Sequence, residues 1–135
     1  MNMNLDLLKE ILCIPTLSSE EGKLINYLKK YLSNKPVSVE VDTIGNILVT
    51  KGVSDCYPCL VAHTDTVHAL VDEIDIREVE RVNSQGERKP ALTGYLPNSD
   101  VPTGCGGDDK AGVFICLQLL DKFEEIEIFF PIAEE

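Results

Sequence analysis

Three short polar clusters in this 135-residue sequence combine side chains that bind metal ions and move protons. Each cluster stands directly after a strand-like apolar run or a glycine-rich turn. Open α/β sheets place their binding sites at the carboxyl ends of strands, so we expect the three clusters to lie close together. The clusters are His63 with Asp65, Asp108 with Asp109, and Glu134 with Glu135.

The residue types fit a hydrolytic site with two zinc ions. Zinc binds imidazole nitrogen and carboxylate oxygen, and two ions about 3.5–4 Å apart can share a carboxylate and a water. A shared carboxylate needs a fixed position between the ions, and the glycine turn before Asp108 can provide it. Asp65 lies two residues beyond His63 on an extended chain, so it can orient the imidazole from the same side. Of the paired glutamates, we expect one to bind metal and the other to act as general base.

Each cluster taken alone has a simpler explanation. Glycine turns before helices often bind phosphate, but residues 103–112 lack the P-loop order and carry carboxylates that would repel phosphate. Asp108 can equally cap a helix, a lone histidine near a strand end is usually not a ligand, and paired glutamates usually lie on a solvated surface. A metal site is favoured because all three clusters occur in one chain, each at a predicted strand end.

The cysteines favour reduced thiols over a disulfide framework, because they are five in number, lie mostly in apolar runs and follow no visible signal peptide. Cys56 and Cys59 have the spacing of a redox or zinc motif. Cys59, however, begins a strand-like run and no second pair follows, so the pattern disfavours both roles. His68 belongs to none of the clusters and is predicted to be a surface loop histidine.

Composition restricts the class of protein and of partner. The length fits one domain, and the net charge of −11 argues against nucleic acid and against anionic membranes as partners. No run reaches the roughly 18 apolar residues of a membrane span. Without a visible signal peptide, the sequence predicts a cytoplasmic location.

Apolar periodicity predicts two helices at the start of the chain. The first covers residues 5–14 and ends at Pro15. The second covers residues 20–33, begins after two serines that can cap it, and carries Glu20 and Glu21 in its first turn.

The remaining patterns predict strands around one further helix. Period-two alternation predicts a hairpin from residues 37–42 and 47–50, and residues 58–62, apolar on both faces, predict a central buried strand. Residues 113–123 predict a largely buried helix, and residues 126–130 predict the last strand. Weaker patterns predict short strands at 74–76 and 79–82, a polar turn at 83–90 and a loop at 94–102. The order of elements indicates an α/β fold with a mixed sheet.

Taken in order, the three clusters resemble the motifs of the zinc exopeptidase and deacylase family that includes peptidase T, aminoacylase, acetylornithine deacetylase and succinyl-diaminopimelate desuccinylase. The sequence Asp-Asp-Lys-Ala-Gly from Asp108 is most similar to peptidase T-like members. The Pro, Ser and Glu residues between 15 and 21 and the pair Gly45–Asn46 also resemble family segments, so the resemblance spans essentially the whole chain.

The resemblance implies a three-layer α/β/α fold and metal-dependent hydrolysis of amide bonds in small peptides or N-acyl amino acids. It implies two zinc ions, with cobalt or manganese as alternatives because carboxylate-rich sites accept several metals. By this resemblance the metal ligands are His63, Asp108 and Glu135, and the catalytic residues are Glu134 and Asp65.

Two further features follow from the resemblance. Asp108 would bridge both ions and would be joined to Asp109 by a cis peptide bond. Family members also continue beyond the paired glutamates with another acidic ligand, a late histidine ligand and a lid or dimerisation domain. We therefore interpret residues 1–135 as the amino-terminal portion of a catalytic domain, without the lid, and expect weak or no hydrolysis from it.

Two alternatives stay open. The chain can be a short relative that binds a metal or a protein partner without catalysis, or it can complete its site by assembling with another chain. We expect the last strand to be an exposed apolar edge or the sheet to be half-finished, which would favour self-association into a homo-oligomer.

Overall fold

A computed structural model describes residues 2–135 and contains three helices, a four-stranded mixed sheet and a two-stranded sheet. The α/β fold with a mixed sheet is therefore confirmed. The elements in chain order are α1 (Leu5–Leu12), α2 (Gly22–Leu32), β1 (Ser38–Val41), β2 (Ile47–Lys51), β3 (Cys59–Val61), β4 (Asp75–Val82), β5 (Arg88–Tyr95), α3 (Gly107–Leu120) and β6 (Ile126–Phe130).

The four-stranded sheet has the order β1-β2-β6-β3. The predicted hairpin of β1 and β2 is present, and β2 also pairs antiparallel with β6. Strand β6 pairs parallel with β3 on its other side. Because β3 and β6 run in the same direction, the segments that follow them leave the sheet at the same edge.

One face of the sheet carries the hydrophobic core. The register places Val49 of β2 opposite Ile128 of β6, and Leu60 of β3 on the same row. Alternate residues of each strand point to this face, and all three helices pack their apolar sides against it. Leu48 and Phe129 occupy the opposite face and are only partly buried. Residues 2–135 thus supply the sheet and the helical layer on one of its faces.

Two expectations about sheet position are wrong. Residues 58–62 do not form a central strand, because β3 pairs only with β6 in the described part of the chain and Val61 is 61 % exposed. Of the two alternatives for the last strand, the edge position is wrong, because β6 lies between β2 and β3. Apolar composition indicates that a segment is a strand, but the neighbours of that strand are chosen by contacts far apart in sequence.

The second helix begins at Gly22, two residues later than predicted. Ser18 does not cap it: its N–H donates to the carbonyl of Thr66 and its hydroxyl to the carbonyl of Glu135. Glu21 is buried and accepts a hydrogen bond from the N–H of Ala133. Ser18 and Glu21 therefore form hydrogen bonds with residues distant in sequence, whereas the local pattern predicted that they stabilise the start of the helix.

The region between β3 and α3 is more regular than its sequence predicts. One continuous strand, β4, replaces the two short ones, and it forms a long hairpin with β5 around a turn that Asn83 stabilises. Strand β5 was not predicted because its first three residues are exposed and include Pro90, so it lacks an apolar pattern. Phe123, predicted to be buried, follows α3 and is 46 % exposed. Within the described residues, no helix has the length and apolar character needed to cross a membrane.

Candidate metal centre

The parallel pairing of β3 and β6 continues beyond both strands and brings two of the polar clusters together. The N–H of Ala62 donates to the carbonyl of Phe129, and the N–H of Thr64 donates to the carbonyl of Pro131, both at 3.1 Å. The chain around His63 therefore runs alongside the segment that leads to the paired glutamates. This continued ladder is the reason the first and third clusters share one edge of the sheet.

The glycine turn before α3 brings in the third cluster. Gly104 and Gly106 have φ angles of +74° and +64°, which other residues rarely adopt. A Cβ atom at Gly106 would lie 2.4 Å from the Cγ2 atom of Thr66, so only glycine lets the turn approach the segment that carries Asp65. A cis peptide bond joins Asp108 to Asp109, as the resemblance implied.

His68 lies in a loop, as the sequence predicted, but it packs against this turn. Its ring is half-buried, and a Cβ atom at Gly104 would lie 2.4 Å from it. The second histidine thus supports the glycine turn and does not project into solvent.

The three residues predicted as metal ligands converge. His63, Asp108 and Glu135 each offer one ligand atom, and these atoms all lie within 4.8 Å of one another. The Nε2 atom of His63 is 3.0 Å from Oδ1 of Asp108 and 3.8 Å from Oε2 of Glu134. With zinc–ligand bonds of 2.0–2.2 Å, two ligand atoms of a tetrahedral ion lie about 3.4 Å apart. The donor set and its spacing therefore fit zinc after small adjustments of exposed carboxylates.

The imidazole of His63 is held so that Nε2 faces carboxylates. Its Nδ1 atom lies 3.0 Å from the carbonyl oxygen of Asp65 and 3.3 Å from Oδ1 of the same residue. Both atoms are acceptors, so Nδ1 carries a proton. In this tautomer Nε2 carries a lone pair and faces an oxygen of Asp108 at 3.0 Å. Two lone pairs repel each other, so a proton or a cation is required between these two atoms.

The pKa of His63 reflects the same environment. Partial burial lowers the pKa, but the hydrogen bonds to Asp108 and to the backbone of Asp65, with the charges of Asp65 and Asp109, outweigh it. The net effect raises the pKa of His63 above its usual value. The surroundings of Nε2 thus favour positive charge, whether it comes from a proton or from a metal ion.

Asp65 is completely buried and connects two of the clusters. Its two carboxylate oxygens accept hydrogen bonds from the N–H groups of Glu134 and Glu135, each at 2.9 Å. Burial by itself raises the pKa of Asp65, but the net effect lowers it, chiefly through the hydrogen bonds from these two N–H groups. Asp65 therefore stays ionised, orients His63 and also fixes the backbone of the paired glutamates.

The site opens into a cleft of about 320 Å³ lined by His63, Asp108, Asp109 and Glu134 with neighbouring apolar residues. The side chains of Asp108 and Glu134 are 85 % and 59 % exposed, so a substrate can reach both. The carboxylate of Asp109 turns back to accept the N–H of Gly112 at 3.1 Å. Asp109 therefore stabilises the start of α3.

Three residues that contact the site region were not predicted to do so: Glu21, Asn46 and Lys110. For Lys110 the sequence does carry a signal, because this residue lies on the same face of α3 as Val113 and Leu117 and is therefore predicted to be buried. Nothing local distinguishes Glu21 from other helix-start acids, or Asn46 from other turn asparagines.

Lys110 is only 1 % exposed and ties α3 to the segment that follows α1. Its Nζ atom donates to the carbonyls of Ile14 at 2.5 Å and Leu12 at 3.4 Å. Burial lowers the pKa of Lys110 from 10.5 to about 8. The folded protein thus releases this proton at a lower pH than the unfolded chain does.

We expect the substitution Lys110→Met to change how stability depends on pH. Between pH 8 and 10.5 the unfolded chain holds more protons at Lys110 than the folded protein, so the wild type gains stability as pH rises. The gain is worth up to about 3 kcal/mol. Urea unfolding should show that the variant's free energy of unfolding, minus that of the wild type, falls by this amount across that range.

Taking this difference cancels the titration of thiols that Lys110 does not influence, including Cys116, whose pKa burial raises to about 12. The exposed lysine variant Lys122→Met is the control and should show no such pH dependence. A difference between Lys110→Met and wild type that is constant with pH would show that Lys110 is hydrated in solution.

Comparisons with known proteins agree with this architecture. The sequence matches no protein-family model, and a search of curated proteins gave no match. Among solved structures, a tripeptidase from Staphylococcus aureus is similar with a TM-score of 0.69 and 22 % identity, over 96 % of this chain and 36 % of the tripeptidase. The aminopeptidase PepT from Bacillus cereus is similar with a TM-score of 0.65 and 20 % identity, over 96 % of this chain and 36 % of PepT.

A third similar structure is the TET1 peptidase of Pyrococcus horikoshii, with a TM-score of 0.63 and 16 % identity over 96 % of this chain and 61 % of that protein. TET1 can assemble into a tetrahedron or a large octahedral shell. This chain spans about a third of the length of the tripeptidase and of PepT. At these identities the likeness shows a shared fold, and that fold is one used by peptidases.

Proposed function

We propose that the chain contributes the metal-binding and proton-transfer residues of a metal-dependent hydrolase that cleaves peptide or N-acyl amide bonds. The observation that carries the proposal is the arrangement around Nε2 of His63. The other ring nitrogen, Nδ1, forms a hydrogen bond with the carbonyl of Asp65. Asp108 and Glu135 offer carboxylate oxygens to the ring on the side where a cation is needed. A fold shared with peptidases supports the choice of substrate class.

In this proposal His63, Asp108 and Glu135 hold the metal. A zinc ion bound there would supply a Lewis acid that polarises the amide carbonyl and lowers the pKa of water. Asp108 is the ligand best suited to two ions, because its side chain is 85 % exposed and stands on a turn fixed by close packing. Cobalt and manganese are alternatives, since oxygen-rich sites accept both.

Glu134 is the proposed general base. Its carboxylate lines the cleft, with Oε2 3.8 Å from Nε2 of His63, and its backbone is fixed by Asp65. Such a carboxylate can take a proton from the attacking water and deliver it to the leaving nitrogen. Asp65 acts through His63, whose tautomer and ring orientation it sets.

Three protein ligands converge in the described residues, whereas the resemblance implies five for a di-zinc site. We therefore propose weak or no hydrolysis until two more ligands are supplied, by further segments of a longer chain or by another copy in a homo-oligomer. The second candidate function is a metal-binding or protein-interaction module without catalysis. It is supported by the exposed edge at β3, where Val61 is 61 % exposed.

The substitution Glu134→Gln tests the catalytic proposal. We expect it to reduce hydrolysis of di- and tripeptides at least about 100-fold, because general-base catalysis contributes 10²–10⁴-fold. Zinc binding and stability should change little, since Glu134 is not one of the three ligands and its side chain is largely exposed. The exposed variant Glu124→Gln provides a charge-matched control. Hydrolysis by the wild-type chain that Glu134→Gln leaves unchanged would contradict this role of Glu134 and favour the non-catalytic module.

A further inference from the structure

The four residues after Pro131 have no strand partner, yet every one of their backbone N–H groups donates to a side chain. The acceptors come from three segments that are far apart in sequence. The bonds run from Ile132 to Asn46 at 2.9 Å, from Ala133 to Glu21 at 2.7 Å, and from Glu134 and Glu135 to the two oxygens of Asp65 at 2.9 Å each.

This segment, residues 132–135, cannot hold its shape by local structure. Strand β6 ends at Phe130, and Ala133 has a φ angle of +51°, which a residue with a Cβ atom rarely adopts. The four hydrogen bonds are part-buried. Backbone N–H groups that are shielded from water need acceptors, and a run of them attracts anionic oxygens. The conformation of residues 132–135 therefore depends on the side chains that accept these four bonds.

Glu21 is one of these acceptors, and it is a buried acidic residue whose side chain accepts the N–H of Ala133. Its side chain is 3 % exposed and forms no salt bridge within residues 2–135. Burying a carboxylate is costly unless hydrogen bonds compensate it. The hydrogen bond from Ala133 is its compensation, and a charged acceptor makes that bond strong.

Asn46 is held in an orientation that suits the same task. Its Nδ2 atom donates to Oδ2 of Asp42 at 2.7 Å, which leaves Oδ1 free to accept the N–H of Ile132. Asp42 is fixed in turn by three backbone N–H groups of its own turn. The β1–β2 turn thus presents a preformed acceptor to the residue that begins the segment.

We propose that Glu21 and Asn46 are positioning residues of the metal centre. With Asp65 they hold residues 132–135 in the shape that brings Glu135 to the metal and Glu134 to the cleft. The part concerning metal rests on the proposed function, whereas the part concerning backbone shape does not. Outer residues that orient metal ligands typically contribute 10- to 100-fold to metal affinity.

The test compares Glu21→Met, which removes the acceptor at similar volume, with Glu21→Gln, which keeps an acceptor oxygen. Asn46→Ala tests the second positioning residue. Leu32→Ala is the control, because Leu32 is a buried core residue at the far end of α2 and its loss destabilises the fold without touching residues 132–135. All variants are measured at a temperature at which each is fully folded.

The first measurement is hydrogen exchange of the amides of residues 132–135 without metal. We expect at least tenfold faster exchange in Glu21→Met at Ala133, Glu134 and Glu135. Rates within about threefold of wild type are expected in Glu21→Gln. The second measurement is zinc affinity by calorimetric titration, where Glu21→Met and Asn46→Ala should each weaken binding at least tenfold and Leu32→Ala should not.

The outcomes separate the two proposals. Unchanged exchange in Glu21→Met, or equally faster exchange in Leu32→Ala, overturns the positioning role. Wild-type protein that binds no zinc overturns the proposed metal centre, while the exchange result still decides whether Glu21 and Asn46 set the backbone. Tight zinc binding that survives Glu21→Met with altered exchange overturns the link between this backbone segment and the metal.

Discussion

Zinc is expected to raise the melting temperature of the wild-type chain and to leave that of the His63→Ala/Asp108→Ala double variant unchanged. A ligand that binds only the folded state stabilises it by about 2.7 kcal/mol at a concentration 100 times its dissociation constant. For a chain of this length that corresponds to roughly 10 °C. The double variant removes two of the three ligand atoms that lie within 4.8 Å of one another, so the shift should vanish.

Two controls show whether the zinc lies at this site. Asp55→Ala removes an exposed carboxylate elsewhere and should keep the full shift. The variant Cys56→Ser/Cys59→Ser removes the exposed cysteine pair and should keep it as well. An equal shift in wild type and in the His63→Ala/Asp108→Ala variant would place zinc elsewhere. Elemental analysis of protein purified without chelator then reports how many ions each chain retains.

The substitution Asp65→Ala is expected to be the most destabilising single change at the site, by about 3–5 kcal/mol. It removes a fully buried carboxylate and leaves the N–H groups of Glu134 and Glu135 without acceptors. A donor left unsatisfied costs about 1–3 kcal/mol when buried, and these two bonds are part-buried; the contact of the buried carboxylate with His63 is lost as well. Asp65→Asn keeps one carbonyl oxygen and should cost less. Urea unfolding at pH 7 in the presence of chelator measures both without a contribution from metal.

The pH dependence of this loss has a definite sign. Because the pKa of Asp65 in the folded protein is below its ordinary value of 3.8, its contribution is fully present above that value. The contribution disappears as pH falls through the folded-state pKa, so wild type and Asp65→Ala should converge in acid. The control Asp121→Ala breaks only an exposed salt bridge with Lys35 and should cost about 1 kcal/mol or less. Equal costs for the two variants would contradict the role given to Asp65.

The sequence by itself determined the features that depend on local pattern. Helical periodicity and Pro15 define α1, and alternation defines the β1–β2 hairpin and β6. The type and order of the polar clusters indicated a metal site, because imidazole and carboxylate groups at strand ends have few other uses in combination. Their glycine turn also carried its own signal, since Gly104 and Gly106 adopt angles that other residues avoid.

The tertiary structure alone decided which segments became partners. It placed β6 inside the sheet and β3 at an edge. It also made Ser18, a predicted helix cap, and Glu21, a predicted first-turn acid, into contacts of the site. It also gave Asp65 a second task at Glu134 and Glu135, more than 60 positions away. The physical reason is that residue type fixes what a group can donate or accept, whereas the fold fixes which distant group stands at hydrogen-bonding distance.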